Sequence, residues 1–162
     1  MKNRAYILFW HKIVEAAYLI FSLAAVIVFI IFAASTDGEI ATHFALDGTP
    51  DAYGSPWEGM IFPIIMLITN IALSAMVHFL PVQSWNMPGQ VTERNAPFRY
   101  RNAISMVVLI GLCMSLMSLL GSIFMFIVRF LMGPVTIGLS VVMTLIIIFY
   151  AVKTYKESKI YA

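Results

Sequence analysis

AAYLIFSLAAVIVFIIFAA, residues 16–34, runs for nineteen residues without an ionised side chain. As a helix it would reach roughly 28 Å, close to the thickness of the hydrocarbon core of a bilayer. Three more runs have the same character, Ile61 to Leu80, Ile104 to Val128 and Val135 to Val152, and none holds Asp, Glu, Lys or Arg. Four membrane spans are therefore expected. Strands are excluded because four of them cannot close a barrel, whereas a helix pairs its own backbone groups. Composition agrees: of 162 residues, 61% are hydrophobic and 11% charged, with a mean hydropathy of +0.91, unlike a water-soluble domain. Lys2, Arg4 and Lys12 give the first run the look of a secretory leader, but its apolar core is too long for one, so it is expected to stay as a span.

The expected architecture is an all-α membrane protein, a single domain over 1–162. Its four helices run over about 14–34, 60–80, 103–128 and 134–152, with loops at 35–59 and 81–102. Lys and Arg alternate along it. Three precede the first span, none lies in 35–60, Arg94, Arg99 and Arg101 lie in the middle loop, Arg129 stands alone, and Lys153, Lys156 and Lys159 follow the last span. Cytoplasmic flanks carry this excess, so both termini and the 81–102 loop are expected inside, in a multi-pass protein of the bacterial cytoplasmic membrane. The outer 35–59 loop holds Asp37, Glu39, Asp47, Asp51 and Glu58, five of the eight acids, and would favour cationic partners. Trp57 and Tyr53 on one side and Trp10, Trp85, Tyr100 and Tyr150 on the other read as interfacial anchors. Gly133 and Pro134 are expected to make the last outer turn, with Arg129 reaching into the headgroup layer.

Helix faces carry polar patterns. Gly111, Ser115, Ser118 and Ser122 share one face of the third span and Thr136, Ser140 and Thr144 one face of the fourth, as residues that let membrane helices approach closely do. Asn70, Ser74 and His78 form a stripe on the second span, with Glu15 as the plausible partner from the first. The stripe can relay protons or hydrogen-bond neighbouring helices; packing is the simpler reading, since His78 lies near the helix end. Which face of the first helix meets lipid is not legible. Cys113 is the one cysteine and lies in an apolar run, so neither a disulfide nor a cysteine metal cluster is expected. Met114 and Met117 read as apolar filler. No phosphate loop, zinc-protease helix or serine elbow occurs, so a non-enzymatic protein with no cofactor is expected.

The outer loop combines Ile40, Thr42, Phe44 and Leu46 in alternation with the turn residues Asp47, Gly48, Pro50 and Gly54, which predicts an extended segment followed by turns. His43 is expected to pair with Asp47 or Asp51; as a metal ligand it is a weak candidate. Gly48, Pro50 and Gly54 are expected to shape the loop.

The string His43-Phe44-x-x-x-Gly48-x-Pro50-Asp51-x-x-Gly54-Ser55-x-Trp57 resembles the signature of a bacterial membrane domain of unknown function, the domain also found in immunity proteins of the sporulation-delaying toxin type. A second segment, Trp85-Asn86-Met87-Pro88-x-x-x-Thr92-Glu93-x-Asn95-x-x-x-Tyr100, is similar to the same family's stretch after its second helix. Met87 and Ala45 depart from the residues usual there. The resemblance implies a membrane protein that protects its producer from a secreted toxic peptide and relays the peptide's presence to a cytoplasmic repressor. On that reading His43, Asp47, Asp51 and Trp57 recognise a peptide at the outer face. The inner loop, with Arg94, Arg99 and Arg101, docks a cytoplasmic regulator or binds anionic headgroups. Its partners are then the lipid bilayer, peptide and regulator, with no direct nucleic acid. The alternative is a small transport or accessory subunit of a larger membrane complex that uses the Asn70, Ser74 and His78 stripe.

Overall fold

The computed structural model describes residues 3–45 and 49–160. Leu46, Asp47 and Gly48 fall outside the described residues, and with them the expectations placed on Asp47 as a ligand and Gly48 as a turn. Among the described residues there are four long helices, α1 (Phe9–Ala34), α2 (Ile61–Phe79), α3 (Ala96–Phe124) and α4 (Met132–Ile160). An antiparallel hairpin of β1 (Ile40–Phe44) and β2 (Pro50–Gly54) joins α1 to α2. Each helix is long and apolar enough to cross a membrane. The termini and the α2–α3 loop share one end of the bundle; the hairpin and the α3–α4 turn share the other.

Helices outrun the apolar stretches. α1 starts at Phe9, α3 at Ala96 and α4 continues to Ile160, because Lys and Arg are good helix formers and can extend their charges beyond the hydrocarbon while the helix continues. Pro97 in the first turn of α3 starts that helix early, where a missing N–H costs nothing. The same logic corrects the last turn. Gly133 and Pro134 lie inside the first turn of α4, and the chain reverses earlier, over residues 125–131.

α3 is the central helix, packed against α1, α2 and α4. Its seam holds as expected, since Gly111, Ser115, Ser118 and Ser122 are all buried. The α4 stripe does not behave in that way: Thr136, Ser140 and Thr144 line an open groove, and the Ser140 and Thr144 hydroxyls turn back on the carbonyls of Thr136 and Ser140. α1 buries His11, Glu15, Tyr18, Ser22, Ala25, Phe29 and Ala33, alternating steps of four and three along most of the seam, which keeps one stripe facing its neighbours. The half of this seam near the termini is polar and the half near the hairpin apolar. Tyr100 is a second correction: it is buried in the core with Tyr18, Val77 and Ile104, rather than anchoring at the interface.

The hairpin sits on the apolar end. Ile40 and Ala41 are completely buried, with Ile40 against Phe29, Ala33 and Met125. Strict alternation would bury only one of two neighbours. Here the register slips between Ala41 and His43 and again between His43 and Phe44, and such irregularity re-aims side chains. At the opposite end Asn3 ties the N-terminal segment to α2. Its amide donates to the carbonyls of Val77 (2.7 Å) and Leu80 (2.8 Å) and accepts the Val82 N–H (2.9 Å), satisfying groups a helix end leaves open.

Candidate functional site

Two polar sites lie at opposite ends of the α1–α2 pair. At the hairpin end, the register slip places Asp51 so that its Oδ1 lies 2.5 Å from His43 Nδ1. Both side chains face solvent, at 70% and 47% exposure. Of the two acids expected to meet His43, Asp51 is the one described as doing so. An exposed pair of this kind adds little to stability, so its exposure leaves it free to meet a ligand. Tyr53 and Trp57 are also exposed, at 58% and 50%. Trp57 stands at the turn into α2, with its N–H on Ser55 Oγ (3.4 Å). Gly54 shapes this turn through space rather than through positive φ. A Cβ there would run into the Glu58 carboxylate, which accepts the Ser55 N–H at 3.3 Å.

At the other end the Asn70, Ser74 and His78 stripe faces α1. Glu15 Oε1 accepts the Ser74 hydroxyl and His78 Nε2–H (2.9 Å), and Oε2 lies 3.0 Å from the same nitrogen. One turn along, Asn70 Nδ2 donates to Ser22 Oγ at 2.7 Å. Asn70 and Tyr18 are fully buried, and Glu15 retains 7% exposure. The Tyr18 hydroxyl lies beside Ser74 and Glu15 without completing a hydrogen bond, and Asn70 Oδ1 and His78 Nδ1 are likewise buried without a partner. Gly111 of α3 makes room for this: a Cβ would stand 3.1 Å from the Tyr18 ring and 3.2 Å from Asn70 Oδ1. His11 extends the site. Its Nδ1 accepts the Leu8 N–H (3.0 Å), which leaves Nε2 to donate to Ser105 Oγ (2.8 Å). Sequence reasoning missed His11, Tyr18, Ser22 and Ser105; the signal was the stepwise recurrence of His11, Glu15, Tyr18 and Ser22.

The α2–α3 loop is organised from below by Arg99. Expected at the surface, Arg99 is instead fully buried. Its guanidinium donates to the carbonyls of Pro88, Gly89 (3.1 Å) and Gln90. Asn95 and Thr92 exchange side chain for backbone, Thr92 N–H to Asn95 Oδ1 (2.9 Å) and Asn95 N–H to Thr92 Oγ1 (3.3 Å), and Asn95 Nδ2 reaches the Gln90 carbonyl (3.2 Å). Thr92 and Asn95 are thus structural. Glu93 is exposed, as are Asn86 and Pro88, while Trp85 and Met87 are half-buried beneath them. These last four residues line a cleft with Asn102, Tyr150 and Thr154. Among the described residues no group of three His, Cys, Asp or Glu side chains is placed to hold a metal ion.

Four long apolar helices around a polar seam define a multi-pass membrane protein. Residues 20–67 match the model of a domain of unknown function (DUF1648). The match covers most of α1, the whole hairpin and the start of α2; it includes His43 and Asp51 and stops short of Asn70. No curated protein and no solved structure matches the chain.

Proposed function

We propose that the chain is a non-enzymatic membrane protein that recognises a secreted peptide at the outer face and serves in toxin immunity or sensing. The observation that carries this is the hairpin: a docked, irregular ribbon that holds His43 and Asp51 together in solvent beside exposed Tyr53. Exposed aromatic and acidic side chains on a docked hairpin suit a cationic, amphipathic peptide. The matched domain contains this hairpin and the helix segments that flank it, and the resemblance to toxin-immunity proteins rests on the His43 to Trp57 string within it together with the Trp85 to Tyr100 segment outside it. The Lys and Arg distribution supports a hairpin facing outward and termini facing the cytoplasm. With Arg99 committed to the loop, exposed Arg94 and Arg101 remain for a cytoplasmic regulator or headgroups.

The test is survival of sensitive cells challenged with the secreted peptides of the source strain. Wild type is expected to protect, and a His43→Ala, Asp51→Ala double variant at equal membrane level is expected to lose that protection. Failure of wild type to protect overturns the immunity reading. A second reading, an accessory subunit of a larger complex, is favoured by α4, whose most apolar stretch has no buried residue among the described residues and whose polar stripe lines an open groove. It predicts co-purification in a larger assembly and indifference to the hairpin variants.

A further inference from the structure

The Glu15 site has a composition that the hairpin does not explain. A carboxylate in a membrane span is costly, and such residues pair with one another or mark ion and proton sites. Among the described residues, the ionic partner of Glu15 within 4 Å is His78. The groups facing it are His11 and Tyr18 from α1 and Ser74 and His78 from α2. From α3 come Ser105, reached through His11, and Tyr100 in the adjoining core. His11 accepts at Nδ1 and so is held as a neutral imidazole. His78 donates from Nε2 while Nδ1 is buried with no partner. A proton added at that Nδ1 would become a buried N–H without an acceptor, which is unfavourable. The cluster therefore lacks a fixed cation to balance Glu15.

We propose that Glu15, held by Ser74 and His78 at the α1–α2 contact, is a proton-binding site of this protein. Oε1 already accepts two donors, whereas Oε2 shares only the longer contact to His78. The incoming proton leaves a hydronium ion, forms an O–H bond on Glu15 Oε2 and neutralises the buried charge. His78 keeps its Nε2–H directed at Oε1. A metal ion is the poorer occupant, because the groups around the carboxylate present N–H and O–H to it rather than oxygen lone pairs. His78, at 16% side-chain exposure, gives the site its edge toward water at the end that carries the termini.

The test uses the full chain in lipid nanodiscs and dicyclohexylcarbodiimide, which adds to protonated carboxyl groups shielded from water. Mass spectrometry is expected to map the adduct to Glu15, with labelling high in acid and falling as the pH rises. His78→Leu removes the N–H donor that the ionised carboxylate accepts and is expected to raise the labelling midpoint by roughly one pH unit, a tenfold gain in proton affinity, whereas His78→Gln, which keeps an N–H donor, is expected to leave the midpoint near that of wild type. Infrared difference spectra of wild type should show a carboxylic-acid band with the same midpoint that is missing in Glu15→Gln. This keeps the question answerable if the reagent does not enter. Labelling of Glu15 independent of pH overturns the proposal, as does the absence of both adduct and band, or an unmoved midpoint in a folded His78→Leu protein. None of these outcomes bears on recognition by the hairpin.

Discussion

Among the described residues Arg99 heads the fully buried side chains by size, yet it faces carbonyl groups rather than a carboxylate. Burial of a guanidinium is tolerated where most of its donors are met; the carbonyls of Pro88, Gly89 and Gln90 meet both terminal nitrogens, and Nε is buried without a partner among the described residues. The loop in turn depends on Arg99 for its shape. Arg99→Met preserves much of the volume but leaves three carbonyls without their donor. It is expected to cost about 3 kcal/mol and to speed tryptic cleavage at the neighbouring exposed Arg94, read by limited proteolysis. Arg99→Lys is expected to rescue little, because one ammonium cannot reproduce a planar fork. The residue types around the hairpin are less demanding. His43 and Asp51 are exposed, and their exchange is expected to leave the chain folded, which is why they suit a functional test.

The helices differ in how they use small residues. On α3, Gly111 lets Tyr18 and Asn70 come within contact of the helix backbone; on α4, Gly138 has no atom within 4 Å of where a Cβ would stand. Gly111→Val is therefore expected to separate α1 and α2 from α3 and to destabilise the protein by about 1–3 kcal/mol. Gly138→Ala should be neutral or mildly stabilising. Thermal unfolding of both variants in the same detergent checks the contrast, and equal loss in the two would show that Gly111 is not a contact point. The two glycines look alike as letters in apolar runs. Only the choice of packing partner separates them, and α4 packs with the face that lacks its Thr136, Ser140 and Thr144 stripe.

At the scale of the molecule, the α1–α2 pair carries the hairpin at one end and the Glu15, Ser74 and His78 contact at the other. A ligand that moved the hairpin would act on the same two helices that the polar contact holds together. The proposed orientation is directly testable because Cys113 is the single native cysteine and is buried. Tyr53→Cys is expected to react with a membrane-impermeant maleimide on intact cells, and Gln83→Cys only after permeabilisation. The reverse pattern would invert the protein in the membrane.

The pattern of amino acids alone calls for four membrane-spanning helices, because length and the absence of charge in each run leave no other way to satisfy the backbone in lipid. It also determined that Asn70, Ser74 and His78 share a face and that Glu15 is the natural partner, since spacings of four need only a helix to be meaningful. Packing set the rest. Whether Arg99 lies in a headgroup layer or inside the protein, which of two small-residue stripes becomes a seam, and the meeting of Asp51 with His43 all depend on packing beyond any one helix or strand. A local pattern states which side chains travel together. What they meet is set by how the helices and the hairpin pack, and that is where Ser105 reached His11, Asn3 reached α2 and the register slip brought Asp51 to His43.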